Sequence, residues 1–261
     1  MAAVNPARLN TQVGELLACL HDPVALRREC LEILDFYADR TRRPSVSSSA
    51  DDAVRIFRVP RPVIRALGTG LKTRVIERPD LAYAAASALW EAGYRETRQL
   101  ACVILGAYRQ SEIADWVTDW VPSCEDRVAL AELARVGLQG WRANDVAMFL
   151  SKVAEWLESS SLRMRVFSLQ ALDAAAHDED FDELPTVFRL ITGRVATSQG
   201  REKRSLYSLV NTLATRSPPE TARFLIDEIN REGGAARKMT RSLIENFPSR
   251  QRILLERTLS P

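Results

Sequence analysis

Arginines recur along the chain at a spacing that suggests a row of phosphate-binding side chains. Each precedes apolar residues at helical spacing, and the five are Arg98, Arg127, Arg165, Arg204 and Arg241. Their separations are 29, 38, 39 and 37 residues. If each arginine begins a helix, its positive charge opposes the helix dipole, so local stability does not explain the pattern. A phosphate backbone held between arginines and the N–H groups of helix starts does explain it.

Further basic residues lie close to these arginines and extend the predicted DNA-binding surface. They are Arg95, Arg163, Arg201, Lys203, Arg237 and Lys238. Because the net charge of the whole chain is only +2, a polyanion has to meet a local basic face. Two structural alternatives stay open for the arginines. Either the arginines form salt bridges between neighbouring structural repeats of the chain, or they form a buried ladder that holds such repeats together.

The elements that must position these side chains are helices. Long stretches rich in Ala, Leu, Arg and Glu favour helix, and we find no alternating strand bounded by turn residues. Apolar residues such as Leu100, Val103 and Ile104 recur at the spacing of one helix face. Proline and glycine separate segments of roughly 11 to 16 residues, and such short connections predict antiparallel neighbours.

The period of the arginine pattern decides among all-helical architectures. A repeat near 40 residues is typical of HEAT helix pairs, whereas a helical bundle has no reason to repeat at this period. We therefore predict an all-α fold, a HEAT-like α-solenoid of stacked antiparallel helix pairs with roughly 12–14 helices. Residues 1–41 are expected to form N-terminal capping helices and the serine-rich residues 42–52 a flexible loop. Residues 53–261 are expected to form the repeat solenoid, continuous with the cap.

Several classes of protein are excluded. No apolar run reaches the roughly 18 residues of a membrane span, and the N-terminus lacks the apolar core of a signal peptide. The four cysteines and two histidines have no metal-ligand spacing, so we expect reduced core cysteines. Glycine-rich phosphate loops and nucleophile elbows are missing. The expectation is a cytoplasmic monomer without metal or cofactor.

Two segments resemble the DNA-alkylation-repair family of HEAT-like glycosylases. The first, Arg58–Leu67, is similar to the family's valine-proline entry into a helix with a following arginine. The second, Leu89–Glu96, resembles the family's leucine-tryptophan, short-turn, arginine-glutamate junction. The resemblance covers roughly residues 54–245 in element order. It implies an enzyme that excises N3- and N7-alkylated purines from duplex DNA, with no cofactor.

The family's functional residues carry over unevenly to this chain. The phosphate-binding arginine of the family matches Arg165. A family tryptophan falls at Glu125, the family aspartate at Ala129, and a further tryptophan near Tyr207 or Ser208. The resemblance therefore implies a phosphate contact, while the aromatic cradle for the cationic base and the carboxylate for the cationic sugar are not matched.

Nearby residues are candidate substitutes for the unmatched positions. Trp116 and Trp120 share a helix face, with Asp119 beside them. The candidate catalytic carboxylates are Asp126, Asp119 and Glu125, and the candidate lesion cradle consists of Trp120, Trp116 and Tyr207. Core packing is the simpler role for the tryptophans, and helix-start or surface roles are the simpler ones for the acids.

Three functions remain in competition. The first is an alkylpurine DNA N-glycosylase in which Asp126 or Asp119 stabilises the cationic sugar and Arg165 holds the phosphate. The second is a non-catalytic relative that grips damaged or branched duplex DNA on a basic concave face. The third is a scaffold for a protein partner, a common use of HEAT repeats. The unmatched cradle residues favour the second function.

Overall fold

The computed structural model describes residues 4–39 and 54–260, which form helices joined by short connections. Apart from a single bridge between Arg55 and Tyr94, no β-structure occurs in these residues. The predicted all-α fold class is therefore confirmed. Sixteen α-helices lie in the described residues, thirteen of them with eight residues or more, and none is long and apolar enough to cross a membrane. The predicted loop at 42–52 lies outside the described residues.

The chain divides into two compact units, Met1–Asp145 and Val146–Pro261. The helices of the first unit are α1 (Pro6–Ala18), α2 (Pro23–Phe36), α3 (Arg61–Glu77), α4 (Ala82–Glu91), α5 (Arg95–Ala107), α6 (Ile113–Ser123), α7 (Arg127–Glu132) and α8 (Gln139–Asn144). A 3-10 turn, Pro79–Leu81, precedes α4, and a π-helical turn, Leu133–Gly137, follows α7.

The second unit is built in the same way from consecutive helices. They are α9 (Val146–Leu157), α10 (Leu162–Ala176), α11 (Leu184–Ile191), α12 (Arg194–Thr197), α13 (Gly200–Arg216), α14 (Pro218–Glu232), α15 (Gly234–Leu243) and α16 (Ser249–Leu259). A 3-10 turn, Ile244–Asn246, lies between α15 and α16.

Several helices begin where a side chain accepts the unpaired N–H groups of the first turn. Asn5 accepts from the backbone of α1, Asp22 from that of α2, and Ser161 from that of α10. Proline follows Asn5 and Asp22 directly, and its fixed φ and missing N–H suit the first helical position. Each such cap contributes about 1 kcal/mol, so these helix starts are encoded locally.

Within each unit a helix packs against helices that come before and after it in the chain. In the first unit α3 contacts both α1 and α5, and in the second α10 contacts both α9 and α13. Leu67, Leu100 and Phe167, one from each of α3, α5 and α10, are completely buried. Burying such a side chain contributes roughly 1.5–3 kcal/mol, and these interfaces supply most of the stability.

Polar side chains also connect positions about one repeat apart. In the second unit Arg165 contacts Glu202, 37 residues later in the chain. In the first unit the carboxylate of Glu96 accepts the backbone N–H of Arg58, 38 residues earlier. Separations near 40 residues are expected when helix pairs stack on one another. These contacts support the HEAT-like repeat within each unit, while the complete solenoid stays a prediction.

Two glycines allow the end of α5 to approach α8 closely. A Cβ added at Gly140 would lie 2.6 Å from the carbonyl oxygen of Gly106 and 2.7 Å from that of Tyr108. A Cβ added at Gly106 would lie 2.4 Å from the carbonyl oxygen of Val136. Since backbone oxygens cannot move aside like side-chain tips, only glycine fits at this crossing.

Gly140→Ala is expected to lower the free energy of unfolding by roughly 2–3 kcal/mol, because the methyl group must displace two backbone carbonyls. Gly14 is the matched control, since an added Cβ there meets nothing within 4 Å. Gly14→Ala in α1 should raise the free energy of unfolding by about 0.5–1 kcal/mol through helix propensity. Urea denaturation of both variants measures the difference, and equal free energies of unfolding would contradict the close crossing.

The four cysteines form no disulfide. Cys30, Cys102 and Cys124 are buried, and Cys19 is half-buried. Burial raises the pKa of the Cys30 thiol to about 12 and holds the pKa of Cys102 well above its ordinary value. A buried neutral thiol packs like a small apolar side chain, which agrees with the core role expected for these residues.

Candidate nucleic-acid interface

The recurring arginines do not occupy equivalent places in their helices. Arg98, Arg165 and Arg204 lie at the fourth or fifth position of α5, α10 and α13. Arg241 instead lies in the last turn of α15, so the prediction that it begins a helix is wrong. The chain breaks earlier, at Gly233 with a φ of +53°, and α15 is nearly complete when it reaches Arg241. The apolar residues after Arg241 therefore end one helix rather than open the next.

Arg165, the residue that the resemblance selects for a DNA phosphate, is engaged by the protein itself. Its Nε donates to the Glu202 carboxylate at 3.2 Å. Its Nη1 donates to the backbone carbonyls of Ser159 at 2.8 Å and Ser160 at 3.1 Å. These bonds join the connection before α10 to α13. They support the structural alternative for Arg165, a salt bridge between neighbouring repeats.

The other predicted DNA-binding residues fall into two groups. Arg98, Arg163 and Lys203 are half-buried, and the Arg98 guanidinium lies 5.5 Å from the centre of the Trp90 ring. The half-buried Arg237 donates to the Leu259 carbonyl at 3.2 Å. The second group is exposed and forms no ion pair with any described residue. This exposed group consists of Arg127 in the first unit and Arg201, Arg204, Lys238 and Arg241 in the second. The exposed group is therefore available to phosphate as its side chains stand.

Asp126 is completely buried at the start of α7. Its Oδ1 accepts the backbone N–H groups of Val128 at 3.0 Å and Ala129 at 3.2 Å. The Arg95 guanidinium forms a two-pronged contact with the same carboxylate, at 3.2 Å and 3.3 Å. Every strong bond that this carboxylate makes is internal. The geometry therefore favours a structural role for Asp126 over contact with a substrate sugar.

The other two candidate carboxylates are exposed. Asp119 lies on α6 and Glu125 lies in the turn before α7, and neither lines the cavities described below. Ala129, the position that the resemblance aligns with the family's aspartate, is completely buried. A carboxylate at Ala129 would therefore face the core.

The three candidate cradle residues pack against the protein. Trp120 is 8% exposed and stacks on Trp90 with ring centres 4.8 Å apart. Trp116 packs against two tyrosine rings, Tyr83 at 4.7 Å and Tyr108 at 4.9 Å. Tyr207, in the second unit, donates its hydroxyl to the carbonyl of Ser242. Trp116 and Trp120 thus use their ring faces for packing within the first unit, and Tyr207 uses its hydroxyl for a contact within the second.

The sequence interpretation missed a row of cations on α3. Arg61, Arg65 and Lys72 are spaced by four and seven residues, which places them on one face of the helix. All three side chains are exposed. No carboxylate among the described residues pairs with any of them. We call these three residues the cationic row.

The cationic row lines a groove of about 640 Å³, the α3 groove, together with α5 and the end of α7. Two carboxylates also line this groove, and both are already bonded. Glu96 accepts backbone N–H groups of the segment before α3, at 2.7 Å and 3.1 Å. Glu132 pairs with Arg135 at 2.9 Å. Among the described residues, the positive charge of the cationic row is therefore left without a neutralising partner.

The sequence did contain a signal for this row. Arginine or lysine at i, i+4 and i+11 marks one helix face as clearly as apolar residues at the same spacing do. Arg65 and Lys72 lie inside α3, so a search for arginines at helix starts does not find them. No group of three His, Cys, Asp or Glu side chains that could hold a metal ion occurs in the part of the chain that the structure describes.

The fold and the charge pattern together define a class of protein. It is an all-helical protein whose polar contacts recur at repeat spacing and whose first unit carries an open cationic groove. The family model described as DNA alkylation repair enzyme matches residues 31–246. The chain therefore belongs to the DNA alkylation repair enzyme family, and the resemblance seen in the sequence is confirmed. Comparisons with curated proteins and with solved structures gave no significant match.

Proposed function

We propose that this protein binds duplex DNA along the α3 groove, as a monomer. The observation that carries the proposal is the cationic row of Arg61, Arg65 and Lys72, exposed and without carboxylate partners among the described residues. Lysine and arginine side chains that neutralise phosphates release condensed counterions, and this release drives sequence-independent DNA binding. Membership of a DNA alkylation repair family supports DNA as the polyanion.

The dimensions of the row suit a DNA backbone. Eleven residues separate Arg61 from Lys72, which corresponds to about 16 Å along the helix axis at 1.5 Å per residue. Phosphates on one strand advance by about 3.4 Å per base pair along the duplex axis. The row therefore spans roughly five base pairs, and each side chain can meet a different phosphate.

We further propose that the protein recognises alkylated or branched DNA without excising a base. An excising enzyme has to cradle a cationic base on aromatic faces and place a carboxylate near the sugar. Trp116 and Trp120 instead pack against neighbouring rings, and Asp126 is bonded to Arg95 inside the protein. These contacts support the non-catalytic alternative.

The wild-type protein tests the binding proposal. The logarithm of the association constant for a duplex, plotted against the logarithm of salt concentration, should fall with a slope of about −2.7 or steeper for three or more phosphates. Sedimentation at the same protein concentrations should give a single monomeric species. Absence of binding at about 50 mM salt, where such electrostatic binding is strong, would overturn the proposal.

A base-release assay tests the absence of excision. The protein is incubated with DNA treated with a methylating agent, and released N3- and N7-methylpurines are measured by chromatography. An active alkylpurine glycosylase in parallel reactions shows that the substrate is competent. We expect release at the rate of the protein-free control. Faster release would establish catalysis and overturn the recognition-only part of the proposal.

A further inference from the structure

A second cavity, of about 650 Å³, shares one lining residue, Lys72, with the α3 groove. One side is apolar and comes from the end of α3 and the following turn, with Val75, Ile76 and Pro79. Ile76 is 61% exposed, and core packing does not account for it. Cavities of roughly 300–1,000 Å³ with an apolar wall and a few polar groups are typical small-ligand sites.

Other residues that line this second cavity carry hydrogen-bonding groups. The amide side chains are Gln110, Gln139 and Asn144. Gln110 accepts the Tyr108 hydroxyl at 3.2 Å, which leaves its NH₂ group available. Gln139 and Asn144 are exposed, and their side chains form no hydrogen bond with any other described residue. Arg109 adds a second exposed cation beside Lys72.

The glycine crossing borders this second cavity, because Gly106 and Gly140 both line it. Gln139 precedes Gly140 directly in the chain, so the crossing places Gln139 close to the end of α5. The carbonyl groups of Gly106 and Tyr108 approach Gly140 here, and all three residues line the cavity. The cavity thus combines apolar side chains, amide donors and acceptors, and two exposed cations.

We propose that this second cavity binds a single unpaired nucleotide of DNA; the proposal rests on the proposed binding of DNA along the α3 groove. A nucleobase has two flat apolar faces and a polar edge, and asparagine and glutamine amides match such edges. Its phosphate requires a cation, which Lys72 and Arg109 supply. The cationic row leads the strand toward the cavity, since Lys72 belongs to both.

Ile76 has a second role in this arrangement, which is to separate stacked bases of the duplex. It follows Lys72 by one helical turn, so a duplex lying on the cationic row meets an exposed isoleucine at the end of the row. Apolar side chains that enter a base step unstack it and open the duplex locally. An unpaired nucleotide already lacks its pairing energy, so its transfer from the helix into the cavity costs less than that of a paired one.

The experiment compares three ligands for the wild-type protein. They are a plain duplex, the same duplex with one unpaired adenosine, and free deoxyadenosine monophosphate. The unpaired nucleotide should raise affinity by about tenfold over the plain duplex, equivalent to ~1.4 kcal/mol. Equal affinity for the two duplexes would overturn the inference and leave general DNA binding intact. Free nucleotide that displaces the bulged duplex at micromolar concentration would also overturn it, in favour of a mononucleotide site.

Variants in the cavity lining locate the effect. Ala143→Phe fills the cavity from an exposed position on α8, and Gln139→Ala with Asn144→Ala removes two amides without adding bulk. Both variants should reduce the ratio of bulged to plain affinity from about ten to below about two. Ala84→Phe, on an exposed alanine of α4, is the matched control and should keep the ratio. An unchanged ratio in the double variant, which is expected to fold normally, would place the preference elsewhere.

Discussion

Replacing Asp126 with alanine is expected to lower the free energy of unfolding by about 3–5 kcal/mol. The carboxylate is completely buried, accepts two backbone N–H groups of α7 and is held by Arg95. Alanine leaves a largely buried guanidinium without its counter-charge, which is the costly way to break such a pair. It also removes the N-cap of α7, a loss of about 1 kcal/mol in typical cases.

Two neighbouring variants make this prediction specific. Glu125→Ala removes an adjacent but exposed carboxylate and should change the free energy of unfolding by less than about 0.5 kcal/mol. Asp126→Asn retains an oxygen that can cap α7 but loses the charge, so its effect should lie between the other two. Chemical denaturation of the three variants gives the comparison. Wild-type stability in Asp126→Ala would show that the buried pair contributes little.

The Asp126 result also bears on chemistry. A carboxylate that acts on a substrate can be removed with little change in stability, whereas one that holds two helices cannot. A large loss of stability in Asp126→Ala would therefore mean that loss of any activity in this variant says nothing about catalysis. Asp119 and Glu125, both exposed, are the carboxylates whose removal can be interpreted directly.

The helical fold was predictable because its causes are local. Apolar spacing, caps such as Asn5 and Asp22, and proline and glycine breaks all act within a few residues. The π-helical turn at Leu133–Gly137 lies where Val136 comes close to Gly106 of a different helix, and local sequence signals do not contain such a contact. Local signals determine where helices begin, and tertiary packing determines where they deviate.

The roles of the charged residues were much harder to predict. Arg95 and Arg65 look alike in sequence, yet Arg95 is paired with Asp126, 31 residues away, while Arg65 is exposed in the α3 groove. Pairing depends on which helices stack and on their rotation, and sequence spacing alone does not contain this information. The same reason explains Arg165, whose partner Glu202 lies 37 residues later. The sequence identifies each basic residue, but it does not show whether an acidic partner already neutralises the charge.

Replacing Arg61, Arg65 and Lys72 together with glutamine is expected to weaken duplex binding by roughly 10²- to 10³-fold at about 0.1 M salt. Each lost phosphate contact should make the salt dependence shallower by about 0.9, so the slope should change by about 2.7 in the triple variant. All three side chains are exposed, so glutamine should leave the fold intact. Fluorescence anisotropy with a labelled duplex, repeated over a range of salt concentrations, measures both quantities.

The matched control removes the same net charge from other places in the first unit. Arg27 and Arg28 are exposed on α2, and Arg74 of α3 is already paired with Glu77 at 2.9 Å. Replacing these three with glutamine should leave the salt slope within about 0.5 of wild type, because general charge effects do not require a bound phosphate. If both triple variants lose affinity equally, binding reflects overall charge and the α3 groove is not the contact surface. If only the variant of the cationic row loses affinity, the change in its salt slope gives the number of phosphates that the row binds.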